Sequence, residues 1–482
     1  MRWKFVANIT GLLILVLGAA MIIPLTCALI CRDSSIVPIL KALAITLCAG
    51  SLIYILFRNE QAEIITQREG IAIVAFGWIA ICILGALPFY FDHHFKSLTD
   101  ALFESVSGFT TTGSSILNNI EGLPRGLLFW RSFIQWLGGM GIILLSVAIL
   151  PFLGVGGMQL YKAEVPTPVP DKLKPRIRET AILLWKVYLL ISLVECFLLY
   201  MGGMTLFDAL CHTFTTMPTG GFSTKNSSIA YFNSIYIDSV IIFFMLIAGI
   251  NFALHYQMLK GKPLMFWRDP ECRFFLGLVF FLILIISFNV YKTVYTQMGE
   301  AVRFGAFQAV SIVTTTGYAT GDYEKWPAMS QLILMLCMFI GASAGSTGGG
   351  MKCLRIMLCI KYCYKELFLL IHPRSIIHIK LGGKPVSEDV IKSVLGFLAL
   401  YIILFAICSV LLASMGIDLI TSLSAVASAI GNIGPGLGSV GPMDNYAHIP
   451  VPGKWLLIWC MLLGRLEIFT VIILLVPEFW RK

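Results

Sequence analysis

Phe109-Thr110-Thr111-Thr112-Gly113-Ser114 is a short polar turn between two apolar runs, and three more turns of this kind follow it in the chain. They read Met217-Pro218-Thr219-Gly220-Gly221-Phe222, Val313-Thr314-Thr315-Thr316-Gly317-Tyr318 and Gly431-Asn432-Ile433-Gly434-Pro435-Gly436. With Gly113, Gly220, Gly317 and Gly434 taken as equivalent, the turns lie 107, 97 and 117 residues apart. Four similar turns at similar intervals predict four repeats that bring their turns together around one axis.

The composition is that of a membrane protein. Hydrophobic residues make up 58% of the chain and charged residues only 13%, with a mean hydropathy of +0.86. A membrane-spanning helix needs about 20 apolar residues. Ten stretches meet or approach this length, at 5–30, 37–57, 70–92, 127–150, 180–202, 234–258, 273–292, 329–365 (interrupted), 391–414 and 454–477. The sequence therefore predicts an all-α polytopic membrane protein.

The formal charge of +9 indicates orientation rather than nucleic-acid binding. If the N-terminus is cytoplasmic, most Lys and Arg residues fall on cytoplasmic segments, which is the positive-inside bias. The first apolar run has about 25 residues, longer than the 7–15 of a cleaved signal sequence, so we expect a retained helix. Both termini are then cytoplasmic and every glycine turn faces outside.

Each repeat has the order M1 helix, short re-entrant segment, glycine turn, M2 helix. We expect an N-terminal two-helix hairpin and then four pore repeats in pseudo-fourfold arrangement around one pore. Their ranges are 1–65 for the hairpin and 66–160, 161–262, 263–385 and 386–482 for the repeats. The re-entrant segments begin about 13 residues before their glycines, which is too short to cross a bilayer. Each is predicted to be a half-helix whose C-terminal, negative dipole end faces the axis and favours a cation.

Glycine suits such a turn for a chemical reason. A dehydrated monovalent cation needs oxygens in place of its water, and backbone carbonyls supply them without net charge. Exposing consecutive carbonyls on one side requires positive φ, which glycine adopts most easily. The alternative is that the glycines form kinks or helix contacts, because glycine is common in membrane helices.

These features closely resemble the Trk/Ktr/HKT superfamily of potassium transporters, and the TrkH type of bacterial membrane subunit most of all. The resemblance covers essentially the whole chain. It rests on the four turns, the extra N-terminal hairpin and the stretch Gly341-Ala342-Ser343-Ala344-Gly345-Ser346-Thr347-Gly348-Gly349-Gly350-Met351-Lys352. It implies a homodimer with one pore per protomer, in the lipid of a bacterial inner membrane. It also implies a cytosolic nucleotide-binding regulatory partner of the TrkA type.

The resemblance also implies a potassium filter. Its members by position are Thr111, Thr112 and Gly113, then Pro218, Thr219 and Gly220, then Thr315, Thr316 and Gly317, and finally Asn432, Ile433 and Gly434. Glycine at the key position of all four turns fits the potassium pattern of the superfamily. The fourth turn departs most, since Asn432 and Ile433 replace threonines. Potassium is then the transported ion, and no bound cofactor is expected.

The glycine-rich stretch and one arginine are the remaining candidate sites. We expect Gly345, Ser346, Thr347, Gly348, Gly349 and Gly350 to form a movable gate below the filter; a helix break that permits close packing is the alternative. A phosphate-binding loop is disfavoured because Met351 separates the last glycine from the lysine. Arg465 is predicted to place a charge near the pore. Alternatively, it pairs with Glu467 or with filter carbonyls.

Other polar residues within apolar sequence are less specific. Glu104 and His212 are predicted either to brace the filter or to be satisfied by ordinary packing. Gln135 is predicted to form a helix–helix hydrogen bond, and Glu195 has no obvious partner. Asp322, Glu324 and Asp444 follow filter turns and either concentrate cations at the pore mouth or lie in solvated loops.

The sequence thus favours potassium uptake across a bacterial cytoplasmic membrane. A sodium-selective or sodium- or proton-coupled symporter and a non-transporting membrane subunit remain as alternatives. An enzyme is disfavoured, because the sequence contains no HExxH, GxSxG or Walker pattern.

Overall fold

The computed structural model describes residues 1–58, 66–148 and 173–480. The predicted repeat boundary at 160–161 lies outside these ranges, as does the predicted end of the hairpin at residue 65. The first helices are α1 (Trp3–Ala20), α2 (Ile22–Cys31), α3 (Ile36–Leu56), α4 (Gln67–Gly85), α5 (Leu87–Tyr90), α6 (Leu98–Phe109) and α7 (Arg125–Ala148). They are followed by α8 (Leu173–Met201), α9 (Leu206–Thr216), α10 (Ile235–Gly249), α11 (Phe252–Leu259), α12 (Met265–Arg268), α13 (Pro270–Val290) and α14 (Met298–Val313). The last are α15 (Ala328–Ile340), α16 (Cys353–Ile371), α17 (Glu388–Ser414), α18 (Leu419–Gly431), α19 (Val451–Arg465), α20 (Ile468–Ile472) and α21 (Pro477–Trp480).

The predicted all-α class is confirmed. Within the described ranges, the only strands are β1 (Lys380–Leu381) and β2 (Lys384–Pro385), which pair antiparallel in a small hairpin. Among the residues that the structure describes, six helices are long and apolar enough to cross a membrane, and eight segments qualify if two sharply bent helix pairs are counted as spans. The six run Trp3–Cys31, Ile36–Leu56, Arg68–Tyr90, Glu179–Met201, Pro270–Val290 and Glu388–Ser414.

The same helix order occurs four times. A long first helix, a re-entrant helix, a turn and a second helix follow one another as α4–α6–α7, α8–α9–α10, α13–α14–α15 and α17–α18–α19; the re-entrant helices are called the short helices below. The short helices have 12, 11, 16 and 13 residues. Side chains of Ser97, Thr205 and Asp418 cap the start of α6, α9 and α18 by accepting a backbone N–H. Three of the four short helices therefore begin at a capping side chain, and all four end at the glycine turns.

Two predicted continuous spans are wrong. Segment 234–258 bends by 102° between α10 and α11, and segment 454–477 bends by 115° after α19. At the first break Ile250 is extended, and the Asn251 Oδ1 accepts the Ala253 N–H at 2.8 Å to start a new helix. At the second, Glu467 has a φ of +59°. The interruption predicted within 329–365 is confirmed, because α15 and α16 are separated by residues 341–352.

Two ion pairs attach neighbouring elements to the repeats. The Arg2 guanidinium binds the Glu69 carboxylate through both oxygens, at 2.8 and 2.7 Å, and so ties the start of α1 to α4. The Lys454 ammonium of α19 lies 2.7 Å from an oxygen of Asp100 in α6, and both side chains are nearly buried. The second pair joins the short helix of the first repeat to the last repeat, so it helps to close the molecule.

Lys454→Met should lower the free energy of unfolding by about 3–5 kcal/mol, because it leaves the Asp100 carboxylate buried without its cation. We expect a clear fall in the thermal unfolding midpoint of the detergent-solubilised protein. Lys325→Met is the matched control, since Lys325 pairs with Asp322 but remains 80% exposed and should have little effect. Equal midpoints for the two variants would contradict the importance of the buried pair.

Candidate functional site

The four turns contact one another in a closed ring. They are named turn 1 (110–113), turn 2 (218–221), turn 3 (314–317) and turn 4 (431–434). A β-carbon built on one glycine of each turn would collide with a carbonyl oxygen of the next. The collisions are Gly113 with Gly220 O at 2.2 Å, Gly221 with Thr316 O at 1.9 Å, Gly317 with Ile433 O at 1.8 Å and Gly434 with Thr112 O at 2.8 Å. Since turn 4 returns to turn 1, the four contacts complete a cycle.

All four turns share one backbone signature. Two residues with positive φ are separated by one residue with negative φ. The pairs are Thr111 and Gly113 (+53° and +86°), Thr219 and Gly221 (+55° and +72°), Thr315 and Gly317 (+60° and +79°), and Asn432 and Gly434 (+53° and +109°). Positive φ is a rare conformation for a β-branched residue such as threonine. Positive φ is what the exposure of consecutive carbonyls on one side requires, so this backbone is compatible with a carbonyl-lined ring.

The hydrogen bonds at the end of each short helix fix the register of the turns. In turn 1 the Thr112 and Gly113 N–H groups both donate to Ser107 O, at 2.8 and 3.5 Å. In the same way Gly220 and Gly221 share Thr215 O, and Thr316 and Gly317 share Ser311 O. In turn 4 the Ile433 N–H donates to Ser428 O at 3.0 Å. By these bonds, Thr215 is the structural equivalent of Ser107, Ser311 and Ser428 in the other three repeats.

The predicted register of turn 2 was therefore wrong by one residue. Gly221, not Gly220, corresponds to Gly113, and the equivalent triplet is Thr219, Gly220 and Gly221 rather than one that begins at Pro218. The reason is conformational: of two adjacent glycines, only Gly221 has positive φ. The spacings between equivalent glycines become 108, 96 and 117 residues.

Gln135 of α7 braces turn 2 directly. Its Nε2 donates to Gly220 O at 2.7 Å, and its Oε1 accepts the Phe222 N–H at 3.2 Å. The prediction of an ordinary helix–helix bond was wrong, because both partners of this buried amide are backbone groups of the turn region. Because this amide donates one hydrogen bond to the turn region and accepts another from it, it holds the turn in one orientation.

A buried ion pair connects the segments that follow turns 1 and 2. The Arg131 Nε lies 2.5 Å from Glu104 Oε1, and Glu104 also accepts the Ile116 N–H at 3.1 Å. The Arg131 Nη1 donates to Ser223 O at 2.9 Å, and its guanidinium lies 3.5 Å from the centre of the Phe222 ring. Glu104 thus takes the bracing role that the sequence left open.

His212 of α9 reaches the same segment, since its Nε2 lies 3.0 Å from Ser223 Oγ. Its Nδ1 lies 2.8 Å from Asp208 O in the preceding helical turn. Two hydrogen bonds therefore fix this imidazole between the short helix and the segment after turn 2, so His212 also braces the turn region.

The ring opens on one side into a cavity of about 80 Å³. Its lining includes one glycine from each turn: Gly113, Gly221, Gly317 and Gly434. Of the three acidic residues predicted near the mouth, Asp444 lines this cavity. Burial, helped by the neighbouring Asp444 and Asp322 carboxylates, raises the pKa of Glu324 above its usual value. The cavity is large enough for water molecules to reach the ring of glycines.

The predicted gate residues lie in the Gly-rich loop, which we define as residues 341–352. This loop packs against the ring. The Thr347 hydroxyl donates to Met217 O, directly before turn 2, at 2.9 Å, and the Gly349 N–H donates to Thr315 Oγ1 of turn 3 at 2.7 Å. A β-carbon on Gly349 would lie only 2.3 Å from Gly431 O of turn 4. The loop therefore contacts or adjoins three of the four turns.

Arg465 is bonded to this loop. Its Nη1 donates to Thr347 O at 2.7 Å and its Nη2 donates to Gly138 O of α7 at 3.4 Å. The predicted alternative of a pair with Glu467 is wrong, because the Glu467 carboxylate binds Arg355 at 2.8 Å. The carbonyls that Arg465 contacts belong to the loop and to α7, not to the turns. A buried guanidinium thus connects the Gly-rich loop to the second helix of the first repeat.

Gly221→Ala should disrupt the ring more than Gly220→Ala. At Gly221 a methyl group meets the backbone oxygen of Thr316 in a conformation that alanine rarely adopts, whereas at Gly220 it meets the Gln135 side chain. We expect cation flux into proteoliposomes to be lost in Gly221→Ala. Flux should be partly retained in the double variant Gly220→Ala/Gln135→Ala, because Gln135→Ala removes the side-chain atoms that the new methyl group would meet. Retained flux in Gly221→Ala would contradict the assignment of Gly221 as the equivalent of Gly113.

Comparisons with known proteins agree with this architecture. The family model described as TrkH, cation transport protein, matches residues 35–482. The chain is 42% identical to the Trk system potassium uptake protein TrkH of Escherichia coli K12 and 41% identical to that of Vibrio parahaemolyticus, in both cases over 100% of each chain. It is 36% identical to the potassium uptake protein TrkG of Escherichia coli K12, over 99% of each chain.

A solved structure is similar along the whole chain. The crystal structure of the potassium transporter TrkH from Vibrio parahaemolyticus superposes with a TM-score of 0.92 at 39% identity, over 100% of both chains. The similarity in sequence and the similarity in structure therefore both extend over the whole chain. The chain belongs to the TrkH family of cation transport proteins.

Proposed function

We propose that this protein takes up potassium across a bacterial inner membrane, with both termini in the cytoplasm and the ring of four turns as its selectivity filter. The observation that carries the proposal is the closed ring of four turns, which share one pair of positive φ angles and pack glycine against a carbonyl oxygen of the next turn. The relatives named as potassium uptake proteins support potassium as the cargo.

The filter acts by replacing the water around the ion. We assign it to Thr111, Thr112 and Gly113; Thr219, Gly220 and Gly221; Thr315, Thr316 and Gly317; and Asn432, Ile433 and Gly434. Carbonyl oxygens from four turns surround the ion, and the negative ends of α6, α9, α14 and α18 point toward it. Gly220 is the middle residue of its triplet, and its oxygen also accepts a hydrogen bond from Gln135.

The membrane potential drives the ion inward. It contributes about 2.3 kcal/mol per charge for each 100 mV, so no further energy source is required for uptake. Because each turn carries only a short run of alternating φ, we expect a short filter with modest discrimination between potassium, rubidium and sodium.

The Gly-rich loop is the gate in this proposal. It is hydrogen-bonded to turn 3 and to Met217 directly before turn 2, and its position is held by Arg465 and by Lys352, whose Nζ donates to Gly348 O. Movement of residues 345–350 away from the ring requires these bonds to break. The positive charge of Arg465 also opposes the passage of a cation until the loop moves.

The protein works with partners in this proposal. Its relatives' names refer to a Trk system, which implies further components. We propose a homodimer with one pore per protomer and a cytosolic TrkA-type nucleotide-binding subunit that regulates the gate. Membrane lipid surrounds the exposed apolar faces of helices such as α13 and α17.

Uptake of radioactive rubidium into potassium-loaded proteoliposomes tests the function, with Gly113→Ser as the filter variant. A side chain at Gly113 collides with Gly220 O, so the variant should lose most of its uptake and any residual uptake should be inhibited more strongly by sodium. Gly277→Ser in α13, where a β-carbon would meet nothing within 4 Å, is the control.

Absence of rubidium uptake in the wild type, even with its cytosolic partner added, would contradict the proposal and favour a non-transporting subunit. Uptake that requires a sodium or proton gradient would favour a coupled symporter instead.

Arg465→Gln should raise rubidium uptake by about tenfold. This corresponds to about 1.4 kcal/mol, as expected when hydrogen bonds from a charged group to the loop are weakened. Arg465→Lys keeps the charge but not both hydrogen bonds, so it separates electrostatic repulsion from tethering. Unchanged uptake in both variants would contradict a gating role for this arginine.

A further inference from the structure

Glu195 is an ionisable side chain that the proposed filter and gate do not use. It lies within α8, in the apolar span Glu179–Met201, and none of its surface is exposed. Neither of its carboxyl oxygens has a hydrogen-bond partner within the described residues. An ionisable residue at membrane depth is costly, and such residues commonly mark functional sites.

The surroundings of Glu195 do not suit a carboxylate anion. The Thr216 hydroxyl lies beside it but does not form a hydrogen bond of ordinary length with it. Within the described ranges, the titratable groups that interact with it are Tyr188 and Cys196 on its own helix and Tyr318 after turn 3. In the described part of the chain, no lysine or arginine forms an ion pair with it. Because an unpaired buried anion is far more costly than a neutral acid, this environment favours the protonated carboxyl group.

Thr216 connects this carboxyl group to the ring. Its hydroxyl donates to His212 O at 2.8 Å and lies 3.3 Å from the Tyr318 hydroxyl. Tyr318 directly follows Gly317 of turn 3, and its hydroxyl donates to His212 O at 3.1 Å. Turn 3 and the end of α9 are therefore joined at the point that Glu195 adjoins.

The Gly-rich loop reaches the same point. Met217 follows Thr216, and its carbonyl accepts the Thr347 hydroxyl at 2.9 Å. Thr347 is also the residue whose carbonyl binds Arg465. Displacement of Thr216 thus acts on turn 3 through Tyr318 and on the loop through Met217.

We propose that Glu195 is a proton-binding site whose occupancy sets the conductance of the filter and gate. With the proton bound, the neutral acid fits the apolar site and leaves the Thr216 junction intact. Loss of the proton to solvent leaves a carboxylate that must acquire hydrogen-bond donors or move, and either change displaces Thr216. The protonated form is therefore the conducting one, and deprotonation at alkaline pH reduces flux.

Infrared spectroscopy tests the proton site without relying on transport. The carboxylic-acid C=O stretch of Glu195 should appear in the wild-type spectrum, weaken as the pH is raised, and be missing in Glu195→Gln. Glu179→Gln is the matched control, because Glu179 is an exposed glutamate of the same helix. A Glu195 signal that is carboxylate at every pH would overturn the proposal and indicate that a metal cation balances its charge.

Rubidium flux tests the coupling, and this part rests on the proposed function. With equal pH on both sides of the membrane, wild-type flux should fall about tenfold between mildly acidic and alkaline pH, a size typical of coupling between sites. Glu195→Gln, a neutral isostere, should keep the acidic wild-type flux at both pH values. A flat wild-type profile, or loss of flux in folded Glu195→Gln, would overturn the coupling. Absence of flux in every protein while the infrared signal titrates would instead count against the proposed transport function.

Discussion

The close contact between glycine α-carbons and neighbouring carbonyl oxygens is the constraint on which the rest of the structure depends. Four turns pack so tightly that a single methyl group at Gly113, Gly221, Gly317 or Gly434 collides with a backbone oxygen of the neighbouring turn. Irregular backbone of this kind is tolerated at membrane depth only where protein buries it or a wet cavity borders it. Both conditions hold in this protein, because the turns are buried laterally and the outer cavity reaches all four glycines. Side chains from the surrounding repeats hold this backbone in place.

The bracing groups around the ring are not symmetric. Turn 2 has the Gln135 amide, and the segments after turns 1 and 2 share the Arg131–Glu104 pair. Turn 4 instead has Asn432, whose Nδ2 donates to Thr112 Oγ1 at 2.9 Å and to Met461 O at 3.0 Å. The asparagine that looked like the weakest part of the sequence pattern therefore ties turn 4 to turn 1. The turns thus reach the same backbone shape by different side-chain contacts.

Much of the fold was predictable from sequence, because the apolar stretches indicate the all-α membrane class and the four glycine turns indicate the order of the repeats; the number of continuous spans was not, since ten were predicted and six to eight are found among the described residues. The register of turn 2 was not, since two adjacent glycines are equivalent until their φ angles are known. The bends after α10 and α19 were also missed, because their apolar runs continue through the break and only backbone geometry marks it. Arg465 was recognised as unusual from its apolar surroundings. Its partners, Thr347 O and Gly138 O, lie on elements distant in sequence, so the sequence could not identify them. Glu467 was predicted as an alternative partner only because it is close in sequence.

The central claim is that the four turns form one cation-binding ring. The most direct measurement is a crystal structure of the protein grown in rubidium, with anomalous scattering used to locate the ions. The account predicts rubidium peaks on the axis of the ring, within coordination distance of carbonyl oxygens from all four turns. Rubidium that binds only in the outer cavity, or on one side of the ring against a single turn, would contradict it.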